Sequence, residues 1–126
     1  MKKTFLALVV CIMFFAFAPR VYSQSAVYFC TETGAYGYAY AYSYNDVFSK
    51  AYDACVKYGG TNPVLITSTE YKGYGAIALG TDANGNRIIG AAVGFTTLGE
   101  AKSEALRQCE NYGGNGAYIS DSWNDE

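Results

Sequence analysis

The chain has 126 residues, 51% of them apolar and 16% charged, with 13 tyrosines, four cysteines and no histidine. The lack of histidine excludes Ser–His and Cys–His catalysis and every histidine-ligated metal site. Residues 24–126 hold 11 acidic and six basic side chains, a net charge of −5, so we expect no nucleic-acid partner and no binding to anionic lipid, both of which require a basic surface.

The first 23 residues are typical of a secretory signal peptide. Lys2 and Lys3 provide a basic start, residues 5–17 are apolar, and Val21-Tyr22-Ser23 precedes a cleavage site at Ser23/Gln24. The apolar run is shorter than the roughly 20 residues that a membrane-spanning helix needs. We therefore predict an exported protein, periplasmic or extracellular, with no membrane association after cleavage and with residues 24–126 as a single domain.

This domain is predicted to be a duplication, with repeats at about 26–72 and 73–123. Residues of the first repeat recur in the second at one offset of 54 positions and in the same order. The matched pairs are Ser43/Thr97, Asp46/Glu100, Ser49/Ser103, Ala51/Ala105, Cys55/Cys109 and the Tyr-Gly-Gly triplets at 58–60 and 112–114.

Each repeat contains one predicted amphipathic helix. Ser43-x-x-Asp46 and Thr97-x-x-Glu100 have the spacing of a capping box, which is weaker with Asp because its side chain is shorter. Apolar residues then follow at three- and four-residue steps. Paired glycines at 59–60 and 113–114 are typical of helix ends.

The remaining β-branched and aromatic runs predict six strands, at 26–31, 36–42, 64–69, 75–79, 88–95 and 117–120. Turn sequences separate them, such as Asp-Ala-Asn-Gly-Asn at 82–86. The predicted class is α+β, a duplicated β-β-α-β unit in which the two copies share a mainly antiparallel sheet with both helices packed on one face. The acidic segment from Asp121 to Glu126 is predicted to be a solvated tail.

Several of these segments resemble the bacterial domain-of-unknown-function family 4189. The resemblance rests on Thr-Gly-Ala-Tyr-Gly-Tyr at 33–38, the helix starts, the helix cysteine followed by Gly-Gly, and Tyr-Gly-Ala-Ile-Ala at 74–78. It covers roughly residues 26–123 and implies a small exported protein with a duplicated pattern, without an activity. The family pattern also implies a second cysteine shortly after each helix, where this chain has Asn62-Pro63 and Gly116-Ala117.

Three cysteines, Cys30, Cys55 and Cys109, follow the predicted cleavage site, an odd number for an oxidising compartment. They can be buried small apolar residues, or a disulfide can join Cys30 to Cys55 or Cys55 to Cys109, so the pairing stays open. No metal site and no cofactor are predicted.

The most unusual segment is the run at 36–42, in which Tyr36, Tyr38, Tyr40 and Tyr42 alternate with glycine and alanine. Alternation places all four rings on one face of a strand. At the offset of 54 these rings match the small residues Gly90, Ala92, Gly94 and Thr96. The rings therefore either pack over the glycines of the second copy as core, or form an open binding surface, which Tyr28, Tyr71, Tyr74 and Trp123 could extend.

No catalytic constellation is evident in the chain. Glu100 and Glu104 lie one helical turn apart, which is more typical of a solvated helix face than of a glycosidase pair held across a cleft. We predict a non-enzymatic exported domain that binds a protein partner or a cell-envelope glycan through the tyrosines. The alternatives are a small carboxylate-dependent hydrolase or effector and a structural component of the envelope.

Overall fold

The computed structural model describes residues 24–124, so the predicted signal peptide lies outside the described residues and remains a prediction. The described part contains six strands and two helices. In chain order they are β1 (Gln24–Phe29), β2 (Tyr36–Tyr42), α1 (Tyr44–Lys57), β3 (Val64–Thr69), β4 (Tyr74–Thr81), β5 (Arg87–Phe95), α2 (Leu98–Asn111) and β6 (Asn115–Asn124).

The six strands form two three-stranded antiparallel sheets, one from each repeat. The first has the order β2-β1-β3 and the second the order β5-β4-β6. The α+β class, the duplicated β-β-α-β unit and the antiparallel pairing are confirmed. The expectation of one shared sheet is corrected, because among the described residues no strand of one repeat pairs with a strand of the other, and the two sheets instead share a core between their faces.

Each sheet lies between its own helix and the other sheet. Since side chains alternate between the two faces of a strand, Val27 of β1 faces the second sheet while Ala26 packs against α1. Likewise Ile77 of β4 faces the first sheet while Ala76 packs against α2. The layers are therefore helix, sheet, sheet, helix, and the two helices lie on opposite outer faces of the molecule.

The helices approach their sheets closely at one equivalent glycine in each repeat. A Cβ on Gly37 of β2 would lie 2.2 Å from the backbone nitrogen of Cys55, and a Cβ on Gly90 of β5 would lie 2.1 Å from the carbonyl oxygen of Ala105. No side chain fits at these distances. Glycine at both positions therefore allows the backbone of each helix to rest on its sheet.

The two helices end alike but begin differently. Gly60 and Gly114 donate backbone hydrogen bonds to the carbonyls of Cys55 and Cys109, so the two Tyr-Gly-Gly triplets have the same surroundings, as the repeat predicts. At the start of α2, the Thr97 side chain accepts from the Glu100 N–H.

The predicted capping box at the start of α1 is incomplete. The Ser43 side chain caps no backbone N–H of α1, and its Oγ donates instead to Asp46 Oδ2 at 3.0 Å. The hydroxyl is therefore held by the short Asp side chain, and the N-cap is formed fully only in the second repeat.

The strands of the two repeats share one register. Tyr28 pairs with Gly37 as Ala78 pairs with Gly90, and each central strand has a register shift against its third strand at the same place. The equivalent residues are 50 positions apart in β1 and β4, 53 apart in β2 and β5, and 54 apart in β3 and β6. The offsets differ from one another because the connections between the strands differ in length.

The last strand, β6, is longer than predicted and includes residues 121–124 of the segment expected to be a solvated tail. Asp121 pairs with Ile77, and Trp123 pairs with Gly75 and is only 6% exposed. This correction agrees with the repeat itself, because β3 ends at Thr69, the equivalent of Trp123.

Between residues 24 and 124, neither helix has the length and apolar character needed to span a bilayer.

Candidate functional site

A groove of about 1040 Å³ runs along β2, which is an edge strand of the first sheet. Residues 35–42 form its floor, Lys50, Ala54 and Tyr58 of α1 line one wall, and Arg87 and Asp121 of the second repeat line the other. We call this the β2 groove. It contains all four tyrosines that the sequence singled out.

The four tyrosines differ in their surroundings. Tyr36 and Tyr38 are partly buried and pack on the core between the sheets, whereas Tyr40 and Tyr42 are 39% and 41% exposed. The rings of Tyr38 and Tyr40 are stacked on that of Trp123, with centroids 4.8 and 5.6 Å away. The first half of the segment is therefore part of the core and the second half is surface, and binding by the exposed tyrosines stays a prediction.

Tyr42 departs from the alternation of the other three rings. Its ring lies beside α1, with Lys50 Nζ 5.8 Å from the ring centroid. The preceding residue, Ala41, has φ 66°, and the pairing of β2 with β1 shifts register at this end. A left-handed alanine is strained, and the equivalent position in β5 is Gly94, with φ 75°. The strained residue thus lies in the floor of the groove.

Asp121 binds the two inner tyrosines to the second repeat. Tyr36 Oη donates to Asp121 Oδ2 at 2.5 Å, and Tyr38 Oη donates to Oδ1 at 3.1 Å. Burial and the Asp121 carboxylate raise the pKa of Tyr38 to about 12, and burial and the hydrogen bond to Asp121 raise that of Tyr36. Both phenols are therefore neutral donors at any physiological pH.

The alignment of the tyrosines with glycines of β5 is wrong. The observed register gives an offset of 53, which matches Tyr36 and Tyr38 with Ile89 and Ala91. A Cβ on Gly90 would meet the helix α2 and one on Gly94 would meet Thr69, so the tyrosine rings do not cover these glycines of β5. An aromatic ring covers a glycine elsewhere, where a Cβ on Gly75 would lie 2.2 Å from Trp123 Cε2.

Two cations lie at opposite ends of the β2 groove. Arg87 Nη1 donates to the carbonyl of Gly34 at 2.9 Å, just before β2, and Lys50 lies beside Tyr42 at the other end. Within residues 24–124 neither cation forms an ion pair, the one observed pair being Arg107–Glu104. The groove is therefore locally positive on a domain that is acidic overall.

Comparison with protein families gives one match, to the family described as a domain of unknown function, DUF4189, over residues 22–124. The chain belongs to this family. Neither the curated proteins nor the solved structures give a match. Family membership therefore confirms the resemblance, and the DUF4189 assignment carries no activity with it.

The three cysteines of this DUF4189 domain are free and buried. Cys55 of α1 shares one buried cluster with Cys30, between α1 and the first sheet. Cys109 of α2 lies between α2 and the second sheet, on the opposite side of the molecule. The structure therefore places Cys55 and Cys109 in separate clusters, each between a helix and its own sheet. Hydrogen bonds with the Thr33 and Thr61 hydroxyls and the Asn62 backbone lower the pKa of Cys30 to about 6.

Sequence reasoning did not identify the residues of the two groove walls, which are Lys50, Ala54, Tyr58, Arg87 and Asp121. Of these, Asp121 lies in the segment that the sequence predicts to be a solvated tail. The repeat contained the signal for Asp121, since residues 118–123 align with the predicted strand at 64–69.

Among residues 24–124, no group of three Cys, Asp or Glu side chains has the arrangement of a metal site.

Proposed function

We propose that this DUF4189 domain is an exported, non-enzymatic binding domain and that the β2 groove takes a segment of a partner protein. The observation that carries the proposal is the groove itself, which runs along the open side of an edge strand and displays tyrosines. Edge strands have unpaired backbone groups on one side. Tyrosine supplies rigid contact area at a low entropic cost and a hydroxyl for hydrogen bonding.

The carboxylates of the groove favour binding over hydrolysis. Asp121 is the one carboxylate that lines the groove among the described residues, and both of its oxygens accept hydrogen bonds from tyrosines. A glycosidase needs two carboxyl groups across the cleft, one of them free to transfer a proton. Glu100 and Glu104 lie on α2, and their hydrogen bonds with Thr97 and Arg107 explain their placement.

The unpaired backbone of β2 favours a protein ligand over a glycan. A sugar stacks on an aromatic face and makes no use of a strand edge. The backbone of an edge strand, by contrast, offers hydrogen bonds suited to another polypeptide. A glycan is therefore the second ligand in the experiment that tests the proposal.

The test compares two pairs of exposed tyrosines in the purified protein. The variant Y40A/Y42A removes the exposed rings of the β2 groove, and Y71A/Y118A removes two exposed rings outside it. The probes are a phage-displayed library of linear 12-residue peptides and soluble peptidoglycan fragments. We expect peptides to bind the wild type and Y71A/Y118A but not Y40A/Y42A, with all three proteins folded by circular dichroism.

Two results would overturn the proposal. One is the absence of any bound peptide or glycan, and the other is equal binding by the two tyrosine variants. Glycan binding that depends on Tyr40 and Tyr42 would retain the groove as the site and replace the protein partner with a glycan.

A further inference from the structure

The duplication places a second groove at the equivalent position along β5. It measures about 370 Å³, a little over a third of the volume of the β2 groove. Some equivalent positions line both grooves: Ala91 is the equivalent of Tyr38, Glu104 of Lys50, and Gln108 of Ala54. Each repeat is therefore a reference for the other, and the residues that differ explain why one groove is open.

In the second repeat, side chains of α2 cap the edge of β5. Gln108 Oε1 accepts a hydrogen bond from the Ala91 N–H at 3.2 Å, and Gln108 Nε2 donates to Glu104 Oε2 at 3.0 Å. Glu104 is held in turn by Arg107. A backbone group that points away from the sheet is thus satisfied within the molecule, which is one way in which proteins protect edge strands.

In the first repeat, this cap is missing. The pair Val27↔Tyr38 has the same register as Ile77↔Ala91, so the Tyr38 N–H points away from β1 as the Ala91 N–H points away from β4. Ala54 replaces the capping glutamine, and its methyl group cannot accept a hydrogen bond. Along an antiparallel strand, the outward backbone groups recur at every second residue, so Tyr36 and Tyr40 present theirs to the groove as well.

We propose that the β2 groove takes an extended acidic peptide of a partner protein as a fourth strand, hydrogen-bonded to the free edge of β2. This inference rests on the proposed function and specifies its ligand and its mode of binding. An added strand lies about 4.8 Å from its neighbour, between the wall formed by α1 and the wall formed by Arg87 and Asp121. Main-chain hydrogen bonds then provide affinity, and the two walls provide side-chain selection.

Charge complementarity identifies the occupant as acidic. Arg87 lies at the start of β2 and Lys50 at its end, and neither has a carboxylate partner within the described residues. The intervening acid, Asp121, already accepts two tyrosine hydrogen bonds. β2 spans seven residues, so the fitting ligand is a segment of about seven residues with an acidic side chain towards each end. A second copy of this chain fits less well, because its own groove walls flank its β2.

The experiment transfers the cap from one repeat to the other. The variant A54Q introduces into α1 the side chain that closes the second groove, and Q108A removes that side chain from α2 as the matched control. The linear 12-residue phage library is selected against the wild type, and the affinities of the enriched peptides are measured for each variant and for K50E. Amide exchange of Tyr38 is followed by NMR with and without peptide, and sedimentation gives the oligomeric state.

We expect enriched peptides to carry Asp or Glu, A54Q to weaken their binding about tenfold, and Q108A to leave it unchanged. K50E should also weaken binding, and the peptide should slow exchange of the Tyr38 amide. One result would overturn strand addition and leave the proposed function intact. In that result the peptides require Tyr40 and Tyr42, but they bind A54Q normally and do not change the exchange of the Tyr38 amide. Enriched peptides without acidic residues, or a wild-type dimer that A54Q dissociates, would also overturn it, and no enrichment at all would overturn both proposals.

Discussion

At the scale of single residues, the contact between the two inner tyrosines and Asp121 joins the repeats through the wall of the groove. Tyr36 and Tyr38 come from the first repeat and Asp121 from the second, so the bonds connect segments more than 80 positions apart. Hydrogen bonds to a charged acceptor are stronger than those between neutral groups. The contact therefore fixes one groove wall relative to the floor.

The first prediction concerns the pH dependence of this contact. The pKa of Tyr38 is about 12 in the folded protein and about 10 in an unfolded chain. Between these values the unfolded chain binds fewer protons than the folded one, so the free energy of unfolding decreases as the pH rises from about 10 to about 12. Below pH 10 the raised pKa of Tyr38 makes its full contribution to the free energy of unfolding.

The measurement is a spectroscopic titration of the phenols with urea unfolding across the same range. In D121N the charge is absent, so the Tyr38 transition should move to lower pH. The alkaline loss of stability should still begin near pH 10 but should be smaller, because the folded and unfolded pKa values then lie closer together. Y38F removes the transition and identifies it. A Tyr38 transition that does not move in D121N would contradict the assigned role of the carboxylate.

The second prediction concerns the pair Cys30 and Cys55, which share one buried cluster. Gly80 is the equivalent of Cys30 in the second repeat, and a Cβ built on it lies 3.0 Å from Cys109 Sγ. A disulfide with an S–S bond of about 2.05 Å places a Cβ about 3 Å from the opposite sulfur. By analogy with Gly80 and Cys109, we infer that Cys30 is close enough to Cys55 for a disulfide to form.

We expect oxidised glutathione to convert this pair to a disulfide, with two thiols oxidised and two molecules of glutathione released. The lowered pKa of Cys30 favours its thiolate as the attacking group, while burial of both sulfurs makes the reaction slow. Mass spectrometry after alkylation should find Cys109 free, and G80C should add a second bridge to Cys109. Alkylation of all three thiols after oxidation and denaturation would contradict the prediction.

At the scale of elements, the starts of α1 and α2 can be compared directly, because Ser43 and Thr97 occupy equivalent N-cap positions. The side chain of the N-cap residue Thr97 accepts the N–H of Glu100, whereas the Ser43 hydroxyl caps no N–H and donates to the side chain of Asp46. Loss of an N-cap hydrogen bond costs about 1 kcal/mol. We expect T97A to lower the free energy of unfolding by about that amount and S43A by clearly less, as measured by urea unfolding. Equal losses would show that the two caps are equivalent.

The elements themselves could be predicted because each depends on local signals. The strand at 36–42 and the strand at 64–69 have the predicted bounds, since alternation and flanking turns define them. The last strand was predicted too short because Asp121 reads as a surface residue. Its hydrogen bonds to Tyr36 and Tyr38 come from another repeat, and nothing within residues 115–126 indicates them.

At the scale of the whole molecule, the two-sheet arrangement could not be read from the order of elements. A duplicated β-β-α-β unit is compatible with one sheet of six strands or with two sheets of three. The choice depends on Trp123, whose ring fills the space over Gly75 and whose Nε1 donates to Ser25 Oγ of the first sheet at 3.3 Å. For the same reason the β2 groove was not predictable, because its two walls come from different repeats.

The packing of the sheets is tested by the pair Trp123 and Gly75. W123A removes a large ring from the core between the sheets, and we expect it to cost about 3–5 kcal/mol, a large part of the 5–15 kcal/mol that is usual for a domain. G75A places a methyl group 2.2 Å from the ring position and should cost about 1–3 kcal/mol. In the double variant the methyl group enters the space that the ring has left, so the combined loss should be smaller than the sum of the two single losses. Urea unfolding of the four proteins measures this coupling, and additive losses would show that Trp123 does not pack over Gly75 in solution.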